Sequence, residues 1–341
     1  MKQILTTLLL ATVLLSSCER DTIIEGPSLF DLYGPFELVT KLDISNRNVD
    51  FSGGETTFFT AEFSKSVDWK ITISGNSSGA QKVISGTSIE LNSQNAVWDG
   101  STTVFPLFKE EFCTVDLSVS YNTENGDSIV SVVDSLVSFD DLTVATIKTN
   151  EGLLLSDFEN GWNPDWDNFY QAGVNFNILS FNAPQGNSYF NMMGACSWDW
   201  LIGMIIIPAE AYGSQTFDLN ENPDKVYFNV LLNVPYGITN EILLIRFFED
   251  DNNDGLFSDA TEDTYSLELK YLEYGWQKVS IKYSDLVCLV NGNPGEPNGN
   301  GIHNPDLINY IDVLLLADPS TGFSQVDMDY MIFTEDEPLN P

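Results

Sequence analysis

The stretch Val226-Tyr227-Phe228-Asn229-Val230-Leu231-Leu232-Asn233-Val234 places an apolar residue at every second position. Successive side chains of a β-strand point to opposite faces, so this period of two predicts a strand with one face in a core. No window of the sequence sustains the 3.6-residue period that an amphipathic helix requires. The chain is therefore predicted to be all-β.

The other predicted strands of residues 149–341 are separated by turns rich in Gly, Pro, Asn and Asp. They are Asp157–Glu159, Asn187–Met192, Leu201–Ile207, Ile242–Phe248, Tyr265–Tyr271, Trp276–Tyr283, Ile308–Leu316 and Val326–Phe333. A long succession of strands without a helix favours two packed sheets. Residues 149–341 are thus predicted to form a jelly-roll β-sandwich, the larger of two domains.

Residues 36–148 contain shorter alternating runs at Thr57–Phe63, Val67–Ile73 and Val115–Val119. The dipeptide Asn125-Gly126 is typical of a hairpin turn. These features predict a smaller antiparallel sandwich of Ig-like size and strand spacing.

The N-terminus has the pattern of an export signal. Lys2 precedes an apolar run, Ile4–Leu15, which is too short to span a bilayer as a helix. The sequence Leu15-Ser16-Ser17-Cys18 then resembles the lipobox of bacterial lipoproteins. We therefore expect residues 1–17 to be a signal peptide and Cys18 to be lipidated, with residues 18–35 as anchor and tether.

Glu19-Arg20-Asp21 follows the cysteine and resembles the surface-export signals of some Gram-negative glycan degraders. The expected location is therefore the outer membrane, with the protein exposed on the cell surface. Contact with the membrane is expected through the lipid alone, because a chain this acidic is a poor partner for an anionic membrane surface. Several acyl chains would hold the protein stably.

The charge balance excludes one class of partner. The chain has 14 basic and 50 acidic residues and a formal charge of −36. Such a chain repels phosphate backbones, so nucleic-acid binding is not expected. The acids serve either solubility on a crowded surface or, for some of them, cation binding.

Cysteine usage leaves two interpretations open. Cys113, Cys196 and Cys288 remain beside the lipidated residue. An exported protein can form disulfides, so Cys196 and Cys288 either pair or stay as free thiols.

Residues 250–257 read Asp-Asp-Asn-Asn-Asp-Gly-Leu-Phe, which matches the start of an EF-hand loop with Gly255 at its sixth position. The candidate calcium ligands are Asp250, Asn252, Asp254 and Glu262. Thr261 stands where an EF-hand has glutamate, and the flanks are predicted strands, so a complete EF-hand is excluded. A structural Ca²⁺ in this loop and a plain polar turn both remain open.

Several aromatic residues lie in predicted loops next to acids and amides such as Asp165 and Asn168. The candidate carbohydrate-binding residues are Trp162, Trp166, Tyr170, Trp198 and Trp200. Flat rings stack on the C–H faces of sugars, while acids and amides bond the hydroxyls. The alternative is that these rings fold back onto the ends of the sandwich.

Four motifs resemble galactose-binding-like jelly rolls, a group that includes carbohydrate-binding modules and surface glycan-binding lipoproteins. They are Asp157-Phe158-Glu159, Gly186-Asn187-Ser188-Tyr189, Gly275-Trp276-Gln277-Lys278-Val279 and Asp327-Met328-Asp329-Tyr330-Met331-Ile332-Phe333. The resemblance implies non-catalytic glycan binding. It also implies a structural ion shared by the first and last strands, at positions matched by Glu159 and Asp329.

A second resemblance concerns the smaller domain. Trp69-Lys70-Ile71-Thr72-Ile73 followed by Trp98-Asp99-Gly100 resembles the Ig-like modules of hook-capping and sorting-associated envelope proteins. It implies a spacer or docking role.

The sequence offers little support for catalysis. It contains no H-E-x-x-H, and its single histidine, His303, lies in a predicted loop. Gly75-Asn76-Ser77-Ser78-Gly79 has the spacing G-x-S-x-G, but it begins at a predicted turn between strands and is not the strand-to-helix elbow that carries a nucleophile. The predicted function is a non-enzymatic surface lipoprotein that binds a polysaccharide or oligosaccharide, beside an outer-membrane transporter or glycan-degrading enzymes. The alternatives are a structural or adhesion lipoprotein with protein partners and, since two carboxylates suffice, a glycoside hydrolase.

The lipid anchor is directly testable. Replacing Cys18 by Ala removes the thiol that accepts the lipid, so we expect the protein to leave the membrane fraction. Globomycin treatment of cells with the parent protein should have the same effect. Unchanged membrane fractionation of Cys18→Ala would contradict the anchor.

Overall fold

The structure is a computed structural model that describes residues 34–51, 53–122, 128–136, 143–145, 152–195, 201–238, 242–270, 272–316 and 323–339. Cys18 and the signal segment lie outside these residues. The protein is all-β, with three short 3₁₀-helices at Ala209–Tyr212, Tyr283–Asp285 and Pro305–Leu307 in the described part. None of the described helices has the length and apolarity to cross a membrane.

The first set of strands pairs only within itself among the described strands. These are β1 (Leu38–Ile44), β2 (Asn48–Asp50), β3 (Thr57–Gly75), β4 (Gln81–Leu91), β5 (Val97–Trp98), β6 (Glu111–Asn122), β7 (Ser128–Leu136) and β8 (Thr143–Ala145). The long strand β3 organises the unit, since its first half pairs with β1 and β5 and its second half with β6, while β4 pairs along both halves.

The alternation predicted for Val67–Ile73 is confirmed, because Val67, Trp69, Ile71 and Ile73 are all buried. They join a core that also contains Trp98, whose ring lies 4.7 Å from that of Phe51. The Ig-like assignment of this unit stays a prediction.

The second set of strands forms a jelly-roll β-sandwich. Its strands are β9 (Leu153–Ser156), β10 (Asp167–Tyr170), β11 (Val174–Leu179), β12 (Tyr189–Gly194), β13 (Leu201–Pro208), β14 (Val226–Val234), β15 (Ile242–Glu249), β16 (Thr264–Lys270), β17 (Gly275–Lys282), β18 (Leu289–Val290), β19 (Asn293–Pro294), β20 (Ile308–Leu316) and β21 (Ser324–Glu335). One sheet has the order β10-β13-β20-β15-β16, and the other has the order β11-β12-β21-β14-β17 with β9 also on β21.

The interior of the sandwich lies between these two sheets. Phe228 of β14 contacts Phe247 of β15 at 5.3 Å and Phe333 of β21 at 5.4 Å between ring centroids. The alternate residues of the Val226–Val234 stretch are 0 % exposed, as the period of two predicted. Its opposite face is not open to solvent either, since Leu231 is also 0 % exposed.

A third apolar cluster explains the burial of Leu231. It lies on the outer face of the six-stranded sheet and contains Leu107, Tyr330, Ile332 and Leu339. Leu107 belongs to the first set of strands and loops, and its backbone N–H donates to the carbonyl oxygen of Pro184 at 2.6 Å. Segments distant in sequence therefore cover part of this sheet face.

One predicted strand is wrong. Asp157–Glu159 is not a strand, because β9 ends at Ser156 and Phe158 adopts a positive φ of 53°. This left-handed conformation turns the chain and places the Phe158 ring, 1 % exposed, in the core.

Phe228 offers a test of the sandwich core. Phe228→Ala should lower the free energy of unfolding by about 3–5 kcal/mol, because it leaves a cavity among aromatic rings. Chemical denaturation of the parent and the variant measures the difference. Leu256→Ala, at a side chain 75 % exposed, is the control and should stay within about 0.5 kcal/mol of the parent. Equal losses in the two variants would contradict this core.

Candidate functional site

A cleft opens at one edge of the sandwich, where β10 of one sheet and β11 of the other lie near each other. Among the described strands β10 pairs with β13 alone and β11 with β12 alone, so each is an edge strand. The cleft has a volume of ≈ 220 Å³. It is lined by Trp162, Asn168, Tyr170, Phe176, Asn177, Ile178 and Phe190.

Aromatic rings form most of the cleft wall. The ring centroids of Tyr170 and Phe176 lie 5.0 Å apart, and Phe190 lies 5.3 Å from Phe176 and 5.6 Å from Trp162. Tyr170 is 52 % exposed and Trp162 is half-buried, so both present ring surface to solvent. A Cβ atom at Gly203 would lie 2.7 Å from the Phe176 ring, so this glycine lets the ring lie close against β13.

The polar part of the cleft is held by a row of amides across the six-stranded sheet. Asn177 donates to Asn191 at 3.3 Å, and Asn191 donates to the Asp327 carboxylate at 2.6 Å. Asn233 donates to the other oxygen of Asp327 at 2.6 Å. Burial raises the pKa of Asp327, and these amides oppose that rise. The row fixes the orientation of Asn177 at the cleft.

The structure brings together two of the predicted carbohydrate-binding aromatic residues, Trp162 and Tyr170, in one cleft. The prediction for a third, Trp166, is wrong. Trp166 is 3 % exposed and lies within the core, with its ring edge-on to Trp162 at 5.6 Å and to Phe158 at 6.2 Å. It cannot stack on a sugar, because a core ring has no free face. Trp198 and Trp200 lie outside the described residues.

Sequence reasoning missed Phe176 and Asn177 of β11. The run Val174-Asn175-Phe176-Asn177-Ile178 alternates apolar and amide residues, which is the signal that identifies such a strand. Its shortness and its position between two loops hid it. β10 was missed for a different reason, since all four of its residues are exposed and give no alternation.

The predicted calcium loop, residues 250–262, follows β15. Asp250 is 0 % exposed, and its carboxylate accepts from the backbone N–H of Asp254 at 3.1 Å and of Gly255 at 2.7 Å. Glu262 is 1 % exposed, and its Oε1 has no hydrogen-bond partner in the described part of the chain. Asn252 is exposed. A buried carboxylate oxygen without a donor fits a Ca²⁺ ligand set, which is made of oxygen atoms.

Glu159 and Asp329, the two acids implied for a second structural ion, are placed so that they could hold a cation. Glu159 accepts from the backbone N–H groups of Asn187 at 2.6 Å and Ser188 at 2.7 Å, and Asp329 accepts from that of Gln185 at 3.3 Å. Both acids thus meet the same loop, in which the buried Oε1 of Gln185 has no partner among the described residues. Burial, with Glu159 nearby, raises the pKa of Asp329 to about 9. A cation there would favour the ionised form.

Neither a family model nor a curated protein matches the sequence. Solved structures with a similar fold include carbohydrate-binding modules. The family 11 module of the cellulase Lic26A-Cel5E of Clostridium thermocellum has a TM-score of 0.38 at 13% identity, covering 54% of this chain and 94% of its own.

Two further structures show likenesses of the same size. The xylan-binding CBM22-1 domain of Paenibacillus barcinonensis Xyn10C has a TM-score of 0.33 at 14% identity, covering 55% of this chain and 97% of its own. A CBM28 module specific for non-crystalline cellulose has a TM-score of 0.33 at 16% identity, covering 54% and 96%. Similarity at this level concerns the fold alone. Any inference about ligand binding must therefore rest on the residues of the cleft.

Asp329 generates a pH prediction. Its pKa is about 9 in the folded protein and near 3.8 in the unfolded chain, so between these values the folded state binds the extra proton. In calcium-free buffer the free energy of unfolding should therefore fall as the pH rises from 5 to 8, by up to about 1.4 kcal/mol per pH unit for this carboxyl.

Asp329→Asn should make that slope shallower, because Asn does not ionise. Asp285→Asn, at an exposed acid, is the control and should keep the slope of the parent. Denaturation curves at several pH values measure both variants. Parallel slopes in the parent and in Asp329→Asn would refute the assignment.

Proposed function

We propose that the jelly roll binds a glycan without cleaving it, and that the edge cleft holds the sugar. The observation that carries this proposal is the meeting of Trp162 and Tyr170 with the amides Asn168 and Asn177 in one open cleft. Rings with an exposed face beside amides are the combination that a sugar ring needs.

In the proposed mode of binding, the C–H face of a sugar ring stacks on Tyr170 or Trp162. Asn168 and Asn177 bond to hydroxyl groups, since an amide supplies both donors and an acceptor. A volume of ≈ 220 Å³ is below the usual range for drug-sized ligands, about 300–1,000 Å³, and suits a single sugar unit. The rest of an oligosaccharide or polysaccharide then runs along the outside of the sandwich.

The charge of the chain narrows the class of glycan. A formal charge of −36 repels sulfated or otherwise polyanionic chains. Neutral glycans are therefore the expected ligands. A neutral glycan also suits the residues that line the cleft, which are aromatic, amide or aliphatic and carry no charge.

The non-catalytic part of the proposal is supported by the position of His303, the one histidine in the sequence. Its ring stacks on Tyr265 at 3.8 Å, and its Nε2 lies 3.0 Å from the carbonyl oxygen of Leu286. The histidine thus contributes to the packing of a loop and is not one of the residues that line the cleft.

We place this activity on the cell surface, with the protein anchored through Cys18 in the outer membrane. In this arrangement the protein captures glycan for an outer-membrane transporter or for glycan-degrading enzymes. Structural Ca²⁺ at Asp250, Asn252, Asp254 and Glu262, and at Glu159 and Asp329, would stiffen loops of the sandwich and lies outside the cleft lining.

A glycan array probed with residues 19–341, with and without calcium, tests the proposal. Trp162→Ala and Tyr170→Ala should each weaken binding of a positive glycan at least tenfold, about 1.4 kcal/mol, because each removes a stacking face. Titration calorimetry with that glycan measures the loss.

Phe169→Ala is the matched control. Phe169 is 46 % exposed in the same strand, but it is not among the residues that line the cleft. A loss of binding in Phe169→Ala with none in Tyr170→Ala would move the site to the outer face of the five-stranded sheet. Silence on every glycan would instead favour the adhesion alternative.

A further inference from the structure

Two neighbouring segments at the ends of the 250–262 loop carry consecutive acids. Glu249 is the last residue of β15 and is followed by Asp250 and Asp251, while Glu262 and Asp263 precede β16. The backbone N–H of Glu249 donates to the carbonyl oxygen of Asp263 at 3.0 Å, so the two segments still lie side by side here. Successive side chains of extended segments point to opposite sides. The acids therefore divide into two groups, one on each side of the loop.

The group opposite to the predicted calcium ligands consists of Glu249, Asp251 and Asp263. One carboxylate oxygen from each of the three lies within 4.8 Å of the other two. Ca²⁺ holds its oxygen ligands at 2.3–2.6 Å, so two ligands of one ion are at most about 5 Å apart. The spacing allows one ion to contact all three carboxylates.

Backbone and side-chain donors from the 299–304 loop surround this group, which we call the second carboxylate cluster. Asp263 accepts from the N–H of Gly299 at 2.5 Å and of Gly301 at 2.7 Å, and Asp251 accepts from Asn300 Nδ2 at 2.6 Å. A Cβ atom at residue 299 would overlap an oxygen of Asp251, so the close approach of this loop depends on a glycine.

These donors hold the carboxylates but bring no positive charge. In the described part of the chain, none of the ion pairs includes Glu249, Asp251 or Asp263. Three ionised carboxylates so close together would repel each other strongly in a partly buried place. A bound cation would offset that repulsion.

Two buried oxygen atoms at the cluster lack a hydrogen-bond partner in the described part of the chain, and one of them, the Tyr265 hydroxyl, does not belong to the acids. Glu249 is 0 % exposed, and its Oε1 accepts from Asn304 N–H at 2.7 Å and from the Tyr283 hydroxyl at 2.8 Å. Its Oε2 has no partner among the described residues, and neither has the hydroxyl of Tyr265, which is 3 % exposed. Buried polar atoms normally have a partner, and a bound ion would supply it for Oε2.

We propose that the second carboxylate cluster, Glu249, Asp251 and Asp263, binds a divalent cation, with Ca²⁺ favoured by its all-oxygen ligands. The ion ties the 250–262 loop to the 299–304 loop from the side opposite to Asp250 and Glu262. This site is separate from the proposed glycan cleft and does not depend on it.

Calcium binding to the full mature chain after treatment with a chelator tests the proposal. In titration calorimetry with CaCl₂, Glu249→Gln should remove one equivalent of bound calcium or weaken it at least tenfold. The double variant Asp254→Asn, Glu262→Gln is the matched control on the opposite side of the same loop. It should leave that equivalent in place.

Terbium luminescence excited through tyrosine gives a second readout. Tyr265 lies beside the second carboxylate cluster, so Tyr265→Phe should lower the emission of bound Tb³⁺ while calcium stoichiometry stays that of the parent. If Glu249→Gln fails to fold, this measurement still tests the site, because unchanged Tb³⁺ emission in Tyr265→Phe would contradict an ion beside Tyr265.

Two results would overturn the proposal. One is a parent protein that binds no calcium, or binds only the equivalents that the Asp254, Glu262 double variant removes. The other is Glu249→Gln with unchanged stoichiometry and affinity, which would mean that Glu249 does not hold an ion.

Discussion

Buried carboxylates in this protein are held mainly by backbone N–H groups rather than by basic side chains. Asp250, Asp263 and Asp329 each accept from backbone donors, whereas the buried Asp312 pairs with Arg246. With 50 acidic and 14 basic residues in the sequence, ion pairs cannot serve most acids. A backbone donor orients a carboxylate but leaves its charge in place. The loops are thus ordered by groups that retain a preference for cations.

Neutral donors also hold the buried carboxylate of the sheet that supports the cleft, Asp327. Asn177, Asn191 and Asn233 come from three strands of the six-stranded sheet and are linked through Asp327 of a fourth. Strand register puts these residues opposite one another, so the row follows from the pairing of the sheet. Asn177 therefore reaches the cleft already oriented. A side chain fixed in this way loses less entropy when it binds a ligand.

The sequence predicted the parts of the fold that depend on local periodicity. Val226–Val234 shows this, since its alternating apolar residues form the core face as expected. The burial of Leu231 on the other face could not be predicted, because Leu107 and Leu339 cover it from distant parts of the chain. The turn at Phe158 was equally hidden, since a positive φ in a phenylalanine has no signature in composition.

The candidate site shows the same limit. Trp162 and Tyr170 were found as loop aromatics, but Phe176 comes from the other sheet, and only tertiary packing places it against Tyr170. The second carboxylate cluster was missed because the EF-hand pattern uses Asp250 and every second residue after it. Glu249 and Asp251 also lie two residues apart, but each precedes or follows Asp250 by one residue. Their side chains therefore lie on the side opposite to Asp250.

Trp166 shows how a core residue can support the proposed glycan cleft without lining it. Its ring lies edge-on between Trp162 and Phe158, with interplanar angles of 84° and 88°. Edge-to-face contacts restrict the orientation of both partners. Trp162 therefore has one edge fixed by a core residue while its other surface lines the cleft. A tryptophan held in this way presents a rigid face, and rigidity is what a stacking surface needs to bind a sugar ring without first being ordered.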